Sequence, residues 1–216
     1  MKTKKLIDIL AREGDAVKPL LNPFLRFAIW FGLSSIFMII LFPMVVPFFQ
    51  HDSAHMHDYD TANSIILLLS TVVLGYLAFV MNSPVSLNPA LKFAVAGIFI
   101  GWILRTLIIL FITEEAIFGQ IQNMYSGRPH AGCMANNFLF FAVPFFIIIA
   151  MLRSGYTLEK TWAGFYAATA SLSASELMTS LICPDTEPLH ILAWHIIPII
   201  PIPVGIWLIS EKLLRR

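Results

Sequence analysis

The chain has 216 residues, 58% of them hydrophobic and only 12% charged, with a formal net charge of +1. Globular domains carry about 25% charged residues, so this composition excludes an ordinary soluble fold. The net charge says nothing for or against nucleic acid, because the basic residues are spread between apolar runs. Two cysteines exclude a disulfide-built scaffold and leave room for one bridge.

The chain opens with a basic stretch, Met1 to Lys5, that would suit the n-region of a signal peptide. Asp8, Arg12 and Glu13 interrupt the apolar residues after it, so a cleaved leader is not expected. Leu6, Ile9 and Leu10 fall on one helical face, with Lys4, Lys5, Asp8 and Arg12 largely elsewhere. Gly14 is a stop signal. A helix this short is marginal alone in water. It would order in a partner's groove through its i, i+3, i+4 anchors, or against the membrane surface.

A bilayer core about 30 Å thick needs roughly 20 mostly apolar residues as a helix. Six such spans are expected, over Phe27 to Phe49, Ser64 to Met81, Phe93 to Ile112, Ala135 to Leu152, Thr161 to Cys183, and Leu189 to Ser210. The first interhelical loop holds His51, Asp52, His55, His57, Asp58 and Asp60, a set that is either a flexible polar loop or a weak divalent-cation site. The third span carries Gly97 and Gly101. The fifth is the least hydrophobic but lacks Lys and Arg, and carries Ala167, Ser171 and Ser175 four apart. Both sets read as small-residue packing faces. Pro198, Pro201 and Pro203 are expected to make the sixth span irregular toward its cytoplasmic half.

Orientation follows from lysine and arginine placement. Lys2, Lys4, Lys5, Arg12, Lys18 and Arg26 precede the first span. Lys92, then Arg153 and Lys160, then Lys212, Arg215 and Arg216 fall in the other segments of the same side, whereas the three opposite loops hold only Arg128. Both termini are expected inside. Residues 1–26 would form a cytoplasmic segment, 27–210 the transmembrane domain and 211–216 a short tail.

Charged groups inside a membrane usually face the bundle interior. Arg105, Glu176 and His195 are the three within spans, each roughly 10 Å below the outer end of its helix. An Arg105–Glu176 pair with His195 nearby is expected. Both cysteines lie toward the outer side, with His130 three residues before Cys133 and His190 seven after Cys183. His130, Cys133, Cys183 and His190 could hold a soft or borderline metal. The thiols could instead cycle with a disulfide, form one structural bridge, or stay unpaired in the packing.

These residues resemble the NrsF family, negative regulators of sigma factor F. The resemblance spans nearly the whole chain. It rests on the opening Met1-Lys2-Thr3 with Leu6, Ile7, Ile9 and Leu10, on Val17-Lys18-Pro19-Leu20, and on Gly132-Cys133. It continues with Arg153-Ser154-Gly155, Cys183 and Trp194-His195. It implies a six-span, multi-pass anti-sigma factor of the inner membrane, with an extracytoplasmic-function sigma factor as partner beside the lipid bilayer. The sigma-binding segment would be Met1 to about Asn22, with Leu6, Ile9, Leu10 and Leu20 as its apolar contacts. Cys133 and Cys183 would sense the signal. No enzymatic activity, direct nucleic-acid contact or nucleotide is implied, and no cofactor beyond a bound metal ion. The rival classes are a membrane thiol–disulfide oxidoreductase, for which Cys-x-x-Cys is missing, and a small metal or proton transporter, which would need ionisable groups in the cytoplasmic halves of the spans.

Overall fold

Asparagine followed by proline opens two of the helices. Pro23 stands at the start of the first, where its fixed φ suits the helix and its missing N–H would have no partner anyway. The Asn22 side-chain oxygen accepts from the Phe24 N–H at 2.9 Å. Asn88 and Pro89 repeat the device, with the Asn88 amide oxygen 2.9 Å from the Ala90 nitrogen.

The computed structural model describes residues 21–46, 61–83, 88–112, 131–155, 157, 159–183 and 188–215. Among the described residues the regular structure is entirely helical. The helices are α1 (Pro23–Val45), α2 (Thr61–Val80), α3 (Pro89–Ile112), α4 (Ala131–Arg153), α5 (Lys160–Ile182) and α6 (Pro188–Leu213). Five of them, all but α5, are long and apolar enough to cross a membrane. Leu6, Ile9, Leu10, Leu20, the His51–His57 loop and His130 lie outside the described residues.

The remaining expected span, α5, is equal to its neighbours in length but falls short in apolar character. The reason is its position. α5 packs against α2, α4 and α6, and its side chains are buried almost continuously from Ala163 to Glu176. A helix enclosed by protein need not offer lipid an apolar surface. Its hydroxyls turn back to carbonyls four residues earlier: Thr169 to Phe165 at 2.8 Å, Ser171 to Ala167 at 2.8 Å and Ser173 to Thr169 at 2.9 Å. Those bonds satisfy the polar atoms locally and leave short side chains that the surrounding helices approach closely. Gly164 shows how closely: a Cβ there would overlap the Ser210 hydroxyl of α6. The same holds where α2 meets α1, with the buried Trp30 ring lying directly over Gly75. Its indole N–H donates to the Pro144 carbonyl of α4 at 2.9 Å.

Two expectations need correction. Ala167, Ser171 and Ser175 are fully buried, but Gly97 and Gly101 face open space, with nothing within 4 Å of where a Cβ would stand. The α3 pair therefore makes no close helix contact among the described residues. In α6 the irregularity falls in the first half instead of the second. A helical turn, Pro188–His190, passes into a π-helical turn, Ile191–Ile196, and regular helix resumes at Pro201. The Ile197 N–H reaches five residues back to the Leu192 carbonyl at 2.9 Å. Proline removes the bond to the carbonyl four residues before it, so the disturbance lies on the N-terminal side of the prolines.

The bundle has two polar ends. At the basic end, Arg26 of α1 is buried and donates to the Asn82 side-chain oxygen, to the Met151 carbonyl of α4 and to the Ser154 hydroxyl, the last at 3.4 Å. Its guanidinium lies 5.1 Å from the Phe79 ring centroid, a favourable cation–π placement. The Asn82 amide donates in turn to the Leu152 carbonyl at 2.9 Å and to the Thr157 hydroxyl. A side chain at Gly155 would collide with that amide, which accounts for glycine after Arg153-Ser154. Lys92 and Glu159 form an ion pair nearby, at the starts of α3 and α5. The opposite end holds both cysteines.

A branched side chain at Gly164 is expected to pry α5 from α6. Gly164→Val should lower stability by about 2 kcal/mol or more, read as an earlier thermal unfolding midpoint in detergent. Gly97→Val should leave that midpoint unchanged; an equal loss would mean that a neighbouring chain covers α3.

Candidate functional site: a buried thiol–imidazole centre

Four buried donor groups converge where α4 begins, α5 ends and α6 begins. Cys133 contributes from the first turn of α4, Cys183 follows the last turn of α5, and His190 and His195 stand at the two sides of the π-helical turn. A π turn adds one residue per turn, and here it links the two imidazoles. Their rings lie 5.3 Å apart at 68°. The Cys183 sulfur is 3.1 Å from the Cys133 sulfur and 3.2 Å from His190 Nε2. One ligand atom from each of the four residues lies within 4.8 Å of the others.

His195 is held in orientation from behind. Its Nδ1 is 2.9 Å from the Glu176 Oε1 oxygen, and the other carboxylate oxygen accepts from the Asn137 amide at 2.6 Å. Ser175 donates to the Asn137 side-chain oxygen at 2.5 Å. All four are almost completely buried. The chain of bonds fixes the ring with Nδ1 on the carboxylate. That leaves His195 Nε2, buried and on the side of the Cys183 thiol, as the nitrogen available to a ligand. A carboxylate behind a histidine is the usual arrangement that orients an imidazole toward a metal and raises its basicity.

Chemically, two thiols and two imidazoles form the donor set of a tetrahedral zinc-type or soft-metal site. Zinc–sulfur bonds of about 2.3 Å place two sulfurs about 3.8 Å apart in a tetrahedron. A disulfide needs about 2.05 Å. The observed 3.1 Å lies between, so a sulfur displacement of about 1 Å reaches either state. Both cysteines are free thiols here.

The structure brings Cys133, Cys183 and His190 together, and joins Glu176 to His195. His195, grouped from sequence only with the intramembrane charges, is the fourth donor of the cluster. Arg105 stands half-buried on α3, and both Glu176 oxygens are taken by His195 and Asn137. A buried carboxylate takes whatever donors pack against it, and α5 packs closely on α4, which carries Asn137. An amide carries no charge, so ionisable groups within the spans do not point to it. Asn136 and Asn137, adjacent in an otherwise apolar run, were the available signal.

The fold and the site define a helical membrane protein with a buried thiol–imidazole centre at one end of its bundle. The chain belongs to the NrsF family, described as negative regulator of sigma F, whose model matches residues 10–215, nearly the whole chain. Its role is thereby negative regulation and its partner a sigma factor. No curated protein and no solved structure matches it. Leu10, Leu20, both cysteines and the centre's two histidines fall within the match, while Leu6 and Ile9 precede it.

Removing Glu176 would strand the Asn137 amide and release His195. Glu176→Leu is expected to destabilise the protein by about 3 kcal/mol, measured by thermal unfolding, and Glu176→Gln by about 1 kcal/mol. Equal, negligible effects would contradict the bonding described.

Proposed function

We propose that this chain is an anti-sigma factor of the inner membrane, with its termini in the cytoplasm, that sequesters an extracytoplasmic-function sigma factor. The segment from Met1 to about Asn22 holds the partner, with Leu6, Ile9, Leu10 and Leu20 as apolar anchors in its groove. The thiol–imidazole centre, at the periplasmic end, receives the signal. The observation that carries this reading is the clustering of Cys133, Cys183, His190 and His195 within 4.8 Å, at the opposite end of the bundle from Arg26, the root of the sigma-binding segment.

A soft or borderline metal ion fits the four donors best. In this reading His195 completes the set where His130 was expected from sequence. Binding draws two thiol protons away and pulls the start of α4, the end of α5 and the π turn onto one centre. α4 supplies the route to the other end, because Cys133 stands in its first turn and Met151, near its last, accepts from Arg26. The ion must bind one helix arrangement better than another for any shift to follow. A second reading is favoured by the 3.1 Å sulfur separation. A two-electron periplasmic oxidant would take two electrons as the S–S bond forms, and two protons would leave.

The test uses the full chain in lipid nanodiscs with its sigma factor bound. Cadmium or cuprous ion at micromolar concentration should release the sigma factor, and Cys133→Ser or Cys183→Ser should abolish release while retaining binding. Release by diamide alone, with no response to metal, selects the redox reading. Unchanged release from the double cysteine variant would refute both.

A further inference from the structure

At the basic end, a cavity of about 610 Å³ opens between the starts of α3 and α5 and the end of α6. Its size lies within the range of ligand sites. Lys92, Glu159, Lys160, Trp162, Glu211 and Arg215 line it, with Thr157 among the remaining lining residues. The buried Lys92 is neutralised by Glu159. Among the described residues Lys160, Glu211 and Arg215 make no ion pair, so the cavity presents two cations and one carboxylate without partners. Trp162 borders it as a half-buried aromatic wall.

We infer that this cavity is a second docking site for the sigma factor, taking a surface segment with acidic side chains for Lys160 and Arg215 and a basic one for Glu211. The inference rests on the reading that the segment from Met1 to about Asn22 holds the sigma factor. Three observations favour a protein occupant. Unpaired charges of both signs suit a protein surface, where complementary potentials set register and partner choice. A phosphate headgroup would meet the unpaired Glu211 as a like charge. Trp and Arg are also the side chains that most often anchor protein interfaces.

The fourth observation concerns position. Thr157 lines the cavity and accepts from Asn82, whose side-chain oxygen accepts from Arg26. Arg26 lies four residues beyond Asn22, the end of the sigma-binding segment. The cavity and the segment's root therefore share one hydrogen-bonded knot. Two weak contacts linked in this way bind far more tightly than either alone.

The experiment measures sigma-factor affinity for the full chain in nanodiscs of neutral lipid and of anionic lipid. Lys160→Glu with Arg215→Glu is expected to weaken binding at least about tenfold in both lipids and to flatten its salt dependence. Where that variant unfolds early, Lys160→Gln with Arg215→Gln should still weaken it about threefold. Unchanged affinity in a folded variant overturns the inference. A loss confined to anionic nanodiscs also overturns it, since the cavity would then be a lipid headgroup site. Leu10→Asp separates the two readings: if it leaves affinity intact, the segment reading fails. If it abolishes binding while the cavity variants do nothing, only the cavity inference fails.

Discussion

A helix carrying hydroxyls, an amide partner and a carboxylate can cross a bilayer only if protein surrounds it. Backbone and side-chain polar groups in hydrocarbon must find partners within the molecule. α5 meets that condition by lying among α2, α4 and α6, with Ala, Ser, Thr and Gly along its buried length. Small side chains let the outer helices close in. Most of the bulk is supplied from outside, by residues such as Trp30, Phe79, Phe140 and Ile148 of α1, α2 and α4, with Tyr166 and Leu172 the large buried side chains of α5 itself. The rest of the structure follows from this placement, because Glu176 can remain buried only where α4 and α6 bring Asn137 and His195 to it.

From Glu176 the thiol end is built outward. The carboxylate orients His195, the π turn sets His195 beside His190, and Cys183 caps α5 next to both. Cys133 completes the cluster from α4. The same α4 ends in the carbonyls of Met151 and Leu152, which hold Arg26 and Asn82 at the basic end. A single helix with one end in the thiol centre and the other in the arginine knot is a plain physical connection between the two ends of the bundle. Buried polar networks of this kind favour discrete arrangements, because a half-satisfied network is costly. That property suits a regulator with a held and a released state.

Much of the architecture is legible in the sequence because membrane helices announce themselves by length and apolar content. Five helices long and apolar enough to cross a membrane follow from that alone. α5 is marked by the absence of lysine and arginine after Lys160 and by its stripe at Ala167, Ser171 and Ser175, but hydropathy does not reveal that it is the enclosed helix. The same small-residue logic misleads at Gly97 and Gly101, since a pattern of small residues does not say which neighbour, if any, lies against it. Cys133, Cys183 and His190 group by their shared end of the bundle. His195 joins them only once α6 is known to contain a π turn, which changes which residues share a face. Arg26 reads from sequence only as an orientation charge. Its burial against Asn82, Ser154 and the Met151 carbonyl depends on contacts 56 to 128 residues distant, which no local pattern encodes.

The enclosure of α5 can be measured directly with a carbene-generating photolabel confined to the lipid acyl chains. The exposed apolar side chains of α1 and α3, such as Ile39 and Ile108, should be labelled strongly, and α5 from Ala163 to Thr179 should stay unlabelled. Labelling along α5 at the level of α1 would contradict the central placement and everything built on it.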